Sequence, residues 1–198
     1  MRPKVKSVKA LILNGFAASD SRFDHVARFV SRQLAFAGVG PNTFVLRDHE
    51  IAECIGCYGC WVKTPGVCVF DDFGRAVAEA FITSDLVVFL SVLTFGGYSF
   101  DLKKALDRCI PLISPFFMKI KGEVHHRPRY EKYPSLLGVG LEAQPDEEDA
   151  ATFRRLVARN AVNFHCPRSA AAVLTDSTSP QDMEKAIADL IGKVGLTP

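Results

Sequence analysis

The alternation of short apolar segments with longer amphipathic segments constrains the fold of this chain more than any other feature. The segment Asp85–Ser91, with the sequence DLVVFLS, is almost entirely apolar. Such a run is typical of a central strand in a parallel sheet that helices cover on both faces. The predicted strands are Ser7–Leu13, Asn42–Arg47, Asp85–Ser91, Ser135–Leu141 and Ser169–Thr175. The predicted helices are Arg22–Ala37, a helix capped by Asp71 or Asp72 that runs through Phe81, Asp101–Cys109, Glu147–Phe164 and Pro180–Val194.

This alternation predicts one α/β domain over residues 1–198, with a cysteine-rich loop at residues 48–70. Right-handed crossovers would wind it into a three-layer sandwich around a five-stranded parallel sheet. We expect the strand order 2-1-3-4-5, with Ser7–Leu13 in the centre.

Two charged segments are expected to be solvent-exposed. Lys119–Tyr133 is predicted to be a polar loop, and its basic residues are interpreted as a solvated segment or a subunit contact. These residues are His125, His126, Arg127 and Arg129. On the helix Asp101–Cys109, three basic residues are expected to form a solvated face beside two acidic ones. They are Lys103, Lys104 and Arg108, beside Asp101 and Asp107.

Composition and charge exclude several classes of protein. Hydrophobic residues make up 48% and charged residues 23% of the chain, as in ordinary globular proteins. The net charge of +2 is too small to indicate nucleic acid or an acidic membrane as a partner. The start of the chain lacks the pattern of a signal peptide, and the longest apolar run, Leu86–Leu93, is far shorter than the roughly 20 residues of a membrane span. We therefore expect a cytoplasmic protein whose six cysteines stay reduced.

The most informative motif is CIGCYGCWVKTPGVC, which has the spacing C-x2-C-x2-C-x7-C. Its cysteines are Cys54, Cys57, Cys60 and Cys68. Two-residue gaps let thiolates converge, and the glycines between them give the backbone the freedom to wrap. Four such thiolates suit a 4Fe–4S cluster; a zinc site and a loop of free thiols are the alternatives. Cys109 and Cys166 are interpreted as small buried apolar residues.

The chain resembles the iron–sulfur flavoproteins and the wider group of NADPH-dependent FMN reductase-like proteins. The resemblance is carried by CIGCYGCWVKTPGVC, then VFDDFGRAV, then SDLVVFLSVLTFGGYSFDLKKALDR, and continues more weakly through KGEVHHRPRYEKYPSLLGVG. It implies a flavodoxin-like fold, FMN at the carboxyl ends of the strands, NAD(P)H as reductant, and a homodimer or homotetramer. In cluster-bearing members, four matching cysteines hold a 4Fe–4S cluster close to the flavin.

The FMN phosphate is expected in the loop after the first strand, where backbone N–H groups and the start of a helix attract anions. The candidate residues there are Gly15, Ser19, Ser21 and Arg22. The family usually has Gly-Ser-Pro-Arg followed by Asn-Thr, whereas this chain has Phe16-Ala17-Ala18 after Gly15 and a negative charge at Asp20. Ser19 or Asp20 could instead simply cap the first helix.

The flavin ring is expected against the loop after the third strand. Its candidate residues are Ser91, Thr94, Phe95, Gly96 and Gly97, with Phe95 either stacked on the ring or buried in the core. The usual Ser-Pro-Val-Tyr of the family is Ser91-Val92-Leu93-Thr94 here. Gly138 and Gly140 are interpreted as allowing either close backbone approach or tight helix packing.

These features predict an FMN-binding redox protein, either an NAD(P)H-dependent flavin reductase or an electron-transfer iron–sulfur flavoprotein. The electron donor or acceptor would be a small molecule or a protein. No side chain stands out as a catalytic acid or base. A flavin-free relative that serves as a binding or assembly module is the alternative, since the phosphate loop diverges from the family.

Overall fold

The computed structural model describes residues 8–16 and 21–195, without the side chains of residues 21–23. Within this part of the chain the strands are β1 (Lys9–Asn14), β2 (Gly40–Val45), β3 (Leu86–Val92), β4 (Ile113–Ile120), β5 (Glu123–Pro128), β6 (Ser135–Glu142) and β7 (Ser169–Thr175). The α-helices are α1 (Ser21–Phe36), α2 (Gly59–Val62), α3 (Phe73–Thr83), α4 (Phe100–Asp107), α5 (Glu147–Asn163) and α6 (Pro180–Lys193). None of these helices is long and apolar enough to cross a bilayer.

Five strands form one parallel sheet in the order β2-β1-β3-β6-β7, and β4 and β5 form a separate antiparallel hairpin. The sheet is therefore doubly wound, with β1 between β2 and β3 as expected. The predicted order holds among these five strands. The predicted strand count does not, because the hairpin adds two strands between the third and fourth strands of the sheet.

The hairpin corrects the prediction of a polar loop over Lys119–Tyr133. Its turn is made by Lys121 and Gly122, which both have positive φ, at 50° and 87°. Two such residues form the turn that matches the twist of paired strands. Asparagine or aspartate usually precedes the glycine in this turn, so Lys121-Gly122 gives only a weak signal in the sequence.

The sheet is buried on both faces, which explains why β3 is apolar along almost its whole length. One face packs against α3, α4 and α5 through residues such as Phe81, Leu102 and Phe153. The other face packs against α1 and α6 through residues such as Leu34 and Ile187.

The glycines of β6 serve tight helix packing, which decides between the two interpretations. A Cβ atom at Gly138 would lie 2.5 Å from Cγ2 of Val157, and one at Gly140 would lie 3.1 Å from the ring of Phe153. Helix α5 therefore approaches β6 at a distance that only glycine permits.

Candidate functional site

A cleft of about 750 Å³ lies on the α3–α4–α5 side of the sheet, in the size range of small-molecule sites. Its walls come from the cysteine loop, the end of α4, the hairpin and the second half of α5. The residues that matter below are Cys54, Cys57, Cys60, Cys68, Gly97, Tyr98, Arg108 and His126. The cleft therefore brings all four predicted cysteines together with Gly97 from the predicted flavin loop.

The four cysteines differ in exposure but interact with one another. Cys54 and Cys57 are exposed, Cys68 is half-buried and Cys60 is buried. Burial raises the pKa of the Cys60 thiol, and the negative charges of Cys68, Cys54 and Cys57 raise it further. The sulfurs therefore lie close enough for their charges to interact.

Within the described residues, no three His, Cys, Asp or Glu side chains are placed to share one metal ion. Each cysteine of a 4Fe–4S cluster binds a different iron, whereas all four ligands of a zinc site bind the same ion. The sulfurs of a cluster site consequently stand further apart than those of a zinc site.

The cysteine loop is held in shape by its backbone and by one tryptophan. Gly56 and Tyr58, which flank Cys57, both have left-handed φ, at 64° and 54°. Gly59 begins α2, where a Cβ atom would lie 2.5 Å from Cγ1 of Val69. Nε1 of Trp61 donates hydrogen bonds to two backbone carbonyls. One lies just before the hairpin, at 3.3 Å, and the other belongs to the first residue of β4, at 3.0 Å.

An ion pair closes the two ends of this loop. Asp72 caps α3 by accepting from the N–H of Gly74, and it also accepts from the N–H of Ala52 at 2.9 Å. Its two oxygens pair with the two terminal nitrogens of Arg108 at 2.7 and 2.8 Å. Arg108 also donates to the carbonyls of Ala52 and Phe70, so residues on both sides of the cysteines are tied to the end of α4.

This location corrects the expectation that Arg108 lies on a solvated face, because its side chain is 0% exposed. Lys103 forms the expected solvated pair with Asp107, whereas Lys104 and Asp101 pair with side chains only 16% and 18% exposed. The sequence signal for Arg108 is its position three residues after the buried Ala105, which turns it toward the apolar side of the helix. Asp72 was predicted only as a helix cap.

Most basic residues of the hairpin are also less exposed than expected. His125 is buried and contacts Oδ1 of Asn163 at 2.9 Å, and the ring of His126 lies 4.8 Å from that of Trp61. Arg127 and Arg129 donate to the backbone carbonyls of Phe117 and Pro111. His125 is therefore buried and His126 and Arg129 are half-buried, which corrects the solvated interpretation for these three, whereas Arg127 is exposed as expected. A subunit contact at these residues stays a prediction.

The hydroxyl of Ser91 forms a hydrogen bond within the predicted flavin loop. Its side chain is fully buried, and its hydroxyl accepts a hydrogen bond from the N–H of Ser99 at 2.7 Å. The hydroxyl of Ser99 in turn donates to the carbonyl of Gly15 at 2.5 Å. The two hydroxyls therefore join the loops that leave β1 and β3, and a contact of Ser91 with the flavin stays a prediction.

The segment Thr94–Gly97 forms a tight turn beside the cleft. Thr94 and Gly97 pair through their backbones, and Phe95 and Gly96 have positive φ, at 50° and 69°. Phe95 is 93% exposed, so it is not a core residue, and within the described residues its N–H and that of Gly96 have no hydrogen-bond partner. Gly96 is buried against α5, so at this turn the exposed Phe95 offers a ligand its N–H group and its ring, while Gly97 is the residue of the turn that lines the cleft.

Tyr98 follows the turn and lines the cleft. Its hydroxyl accepts from Nδ2 of Asn160 at 2.9 Å. Burial raises the pKa of Tyr98 to about 12, although the hydrogen bond from Asn160 partly opposes the shift. Tyr98 is therefore a neutral hydrogen-bonding group in the wall.

The predicted phosphate loop falls only partly within the described residues. Ser19 and the side chains of Ser21 and Arg22 lie outside them, so their roles stay predictions. Gly15 packs so closely that a Cβ atom would lie 2.6 Å from Cβ of Leu102. Phe16 is fully buried in the core, which explains why an apolar residue can replace the usual polar one.

The comparisons with known proteins agree with this architecture. An iron–sulfur flavoprotein of Methanocaldococcus jannaschii is 27% identical over 114 residues, which are 58% of this chain and 58% of that protein. The NAD(P)H:quinone oxidoreductase from Methanothermobacter marburgensis is 13% identical, with a TM-score of 0.67 over 91% of this chain and 93% of that one. An FMN-dependent NADH-azoreductase from Bacillus anthracis, in complex with FMN, is 11% identical, with a TM-score of 0.64 over 94% and 97%.

At these identities the two solved structures establish the flavodoxin-like fold alone, and the iron–sulfur flavoprotein is matched over little more than half of its length. The family model for NADPH-dependent FMN reductase matches residues 8–130. The match covers β1 to β5 and therefore includes the turn after β3 and the cysteine loop. Because it extends over more than half of the sequence, this chain belongs to the NADPH-dependent FMN reductase family.

Proposed function

We propose that this protein binds FMN at the carboxyl ends of β1 and β3, takes electrons from NAD(P)H, and carries a 4Fe–4S cluster on its four clustered cysteines. The observation behind the proposal is that these cysteines and Gly97 line one cleft. FMN accepts two electrons as a hydride and a cluster carries one at a time, so the two cofactors together couple both kinds of transfer.

The residues around the turn fit an isoalloxazine ring. The N–H group of the exposed Phe95, which has no partner among the described residues, suits an acceptor atom of the ring, and its side chain offers an aromatic face. The phosphate is assigned to backbone N–H groups after Gly15 together with Ser19, Ser21 and Arg22, as the switch-point rule for doubly wound sheets favours.

The cysteine loop fits a cluster in its donor set and its shape. Four thiols interact across one cleft, and the backbone around them is fixed by left-handed residues and by the Asp72–Arg108 pair. A cytoplasmic location, where thiols stay reduced, is part of the proposal.

The partner of this redox site is proposed to be a small molecule or a protein that supplies or accepts electrons. A second copy of the chain is also proposed, as a homodimer or homotetramer. Large apolar side chains exposed on β4 and β5 support it: Phe116, Phe117 and Val124 are each at least 60% exposed. Exposed apolar groups of this size commonly mark an interface.

Anaerobic purification followed by absorbance and metal analysis tests the proposal. We expect a flavin band near roughly 450 nm and about four irons and four acid-labile sulfides per chain. Cys57→Ala should lose the iron and keep the flavin, whereas the buried Cys109→Ala, which lies outside the cleft, should keep both.

Other results would contradict the proposal in distinct ways. Flavin without iron would identify a cluster-free flavin reductase with thiols in the cleft. Neither flavin nor iron, even after reconstitution, would identify a binding or assembly module that lacks both cofactors.

A further inference from the structure

Arg108 uses four of its five N–H groups within the protein. Nη1 donates to the carbonyl of Ala52 and to Asp72, and Nη2 donates to the carbonyl of Phe70 and to Asp72. An arginine has one further donor, the Nε–H group. In Arg108 this nitrogen is buried and has no partner within the described residues.

Leaving a buried donor unpaired costs its desolvation free energy, so this one is expected to serve a partner. Arg108 and Cys68 together line the cleft and also a second, smaller cavity behind the loop. Burial lowers the pKa of Arg108, but Asp72 and the Cys68 sulfur raise it above its ordinary value. Cys68 is therefore the candidate partner, since its side chain lines both cavities together with Arg108.

We propose that Arg108 is a positioning residue of the cysteine site, and that its Nε–H is the donor for the sulfur of Cys68 when that sulfur is an iron-bound thiolate. This inference rests on the proposed function. Hydrogen bonds to cluster sulfurs are one of the factors that set the reduction potential. A donor here stabilises the more negative, reduced state and raises that potential.

The competing explanation is that Arg108 only closes the loop through its terminal nitrogens. Arg108→Lys removes the Nε–H donor and keeps a positive charge for Asp72, but it also loses the bidentate fork, so iron content reports whether the loop still closes and the potential is compared only in iron-loaded protein. Arg75→Lys is the matched control: Nε of Arg75 also reaches this segment, but it donates to the backbone carbonyl of Cys68 at 3.0 Å.

The measurement is the midpoint potential of the cluster in an anaerobic redox titration followed by EPR. With iron content unchanged, Arg108→Lys should favour the oxidised form about tenfold, which is 59 mV for one electron. Arg75→Lys should match the wild type. Wild-type potentials in both variants would overturn the inference.

A second measurement needs no arginine variant and covers the case in which Arg108→Lys does not fold or load iron. In ¹H–¹⁵N spectra, the Nε–H resonance of Arg108 should move on Cys68→Ala and stay in place on Cys54→Ala. An unmoved resonance would overturn the inference. If the wild type holds no iron, the proposed function fails, but the same spectra of the iron-free protein still decide whether Nε–H faces Cys68.

Discussion

At the scale of single residues, Asp72 combines two tasks that usually fall to different side chains. One oxygen caps α3 and the other accepts from Ala52, while both neutralise the buried Arg108. A buried arginine that loses its partner is left with an uncompensated charge, so the loss costs more than the pair itself contributes. The shape of the cysteine loop therefore depends on one carboxylate.

Asp72→Asn should lower the free energy of unfolding by about 3–5 kcal/mol, the range for breaking a buried pair. The control is Asp107→Asn, which breaks an exposed pair with Lys103 and should cost at most about 1 kcal/mol. Urea unfolding of both variants at neutral pH measures the difference. Equal costs would mean that Arg108 finds another partner.

The same carboxylate predicts a pH dependence. Partial burial raises the pKa of Asp72, but hydrogen bonds from Arg108 and from the N–H groups of Ala52 and Gly74 lower it more, so the net shift is downward. A depressed pKa stabilises the fold above the unfolded value near about 4, and the contribution disappears as the pH falls through the folded value. Urea midpoints of the wild type should therefore fall below about pH 4 more steeply than those of Asp72→Asn.

Phe95 combines a left-handed backbone with 93% exposure, a combination without an evident structural benefit. Phe95→Asn should leave the free energy of unfolding unchanged or raise it by about 1 kcal/mol, since asparagine tolerates this conformation. It should weaken FMN binding about two- to tenfold through loss of an aromatic contact. Fluorescence titration with FMN checks this, with the exposed Phe36→Asn on α1 as control; a loss of stability with unchanged affinity would contradict the assigned role.

At the scale of elements, α5 packs closely against β6 because β6 has glycines at the contact. Gly138 admits Val157 and Phe153 where any other residue would place a Cβ atom. The close approach of α5 also places Asn160 and Asn163 in the wall of the cleft. The glycines of β6 therefore influence the cleft without touching a ligand.

Gly138→Ala should destabilise the fold by about 1–3 kcal/mol through overpacking. Adding Val157→Ala should recover part of that loss, so the double variant is more stable than the sum of the single changes predicts. Gly192→Ala, in α6 and with open space around it, should instead stabilise by about 0.5–1 kcal/mol. Thermal unfolding of the four variants tests this, and strict additivity would contradict the contact.

Periodicity in the sequence predicts most of these elements to within two residues. The boundaries of β7 agree, and α5 and α6 each end one residue early. The hairpin and α2 were missed because their signals are not periodic: Lys121-Gly122 is an unusual turn, and α2 has only four residues. Of the cleft residues, the cysteines were predicted from their spacing and Gly97 from its place after the third strand. Arg108 was not predicted, because a charged residue usually lies on the exposed face of a helix and its spacing from Ala105 is a weaker signal.

At the scale of the whole molecule, the hairpin presents exposed apolar side chains beside the cysteine-lined cleft. Phe117 contacts the ring of His126, which lines that cleft, and Phe116 is 68% exposed. A second copy of the chain docked here would shield the cleft from water. Assembly and the redox site are therefore proposed to be linked through the hairpin.

Phe116→Ser combined with Val124→Ser should weaken self-association at least about tenfold, because each side chain would lose about 2 kcal/mol of burial in an interface. Sedimentation equilibrium across a range of concentrations measures it. Phe36→Ser, on α1 at the opposite face of the sheet, should leave association unchanged. A wild type that stays monomeric at every concentration would refute the proposed interface.

Helix α4 is fixed at both ends. Before its first turn, Ser99 is hydrogen-bonded to Ser91 and Gly15 at the proposed flavin site. After its last turn, Arg108 donates a hydrogen bond to the start of the cysteine loop. Eight residues at a rise of about 1.5 Å span roughly 12 Å, and one inserted residue would rotate one end by about 100° relative to the other. The rate of electron tunnelling falls steeply with the distance between two cofactors. In the proposed flavin–cluster pair, the length of this helix therefore sets the rate of electron transfer.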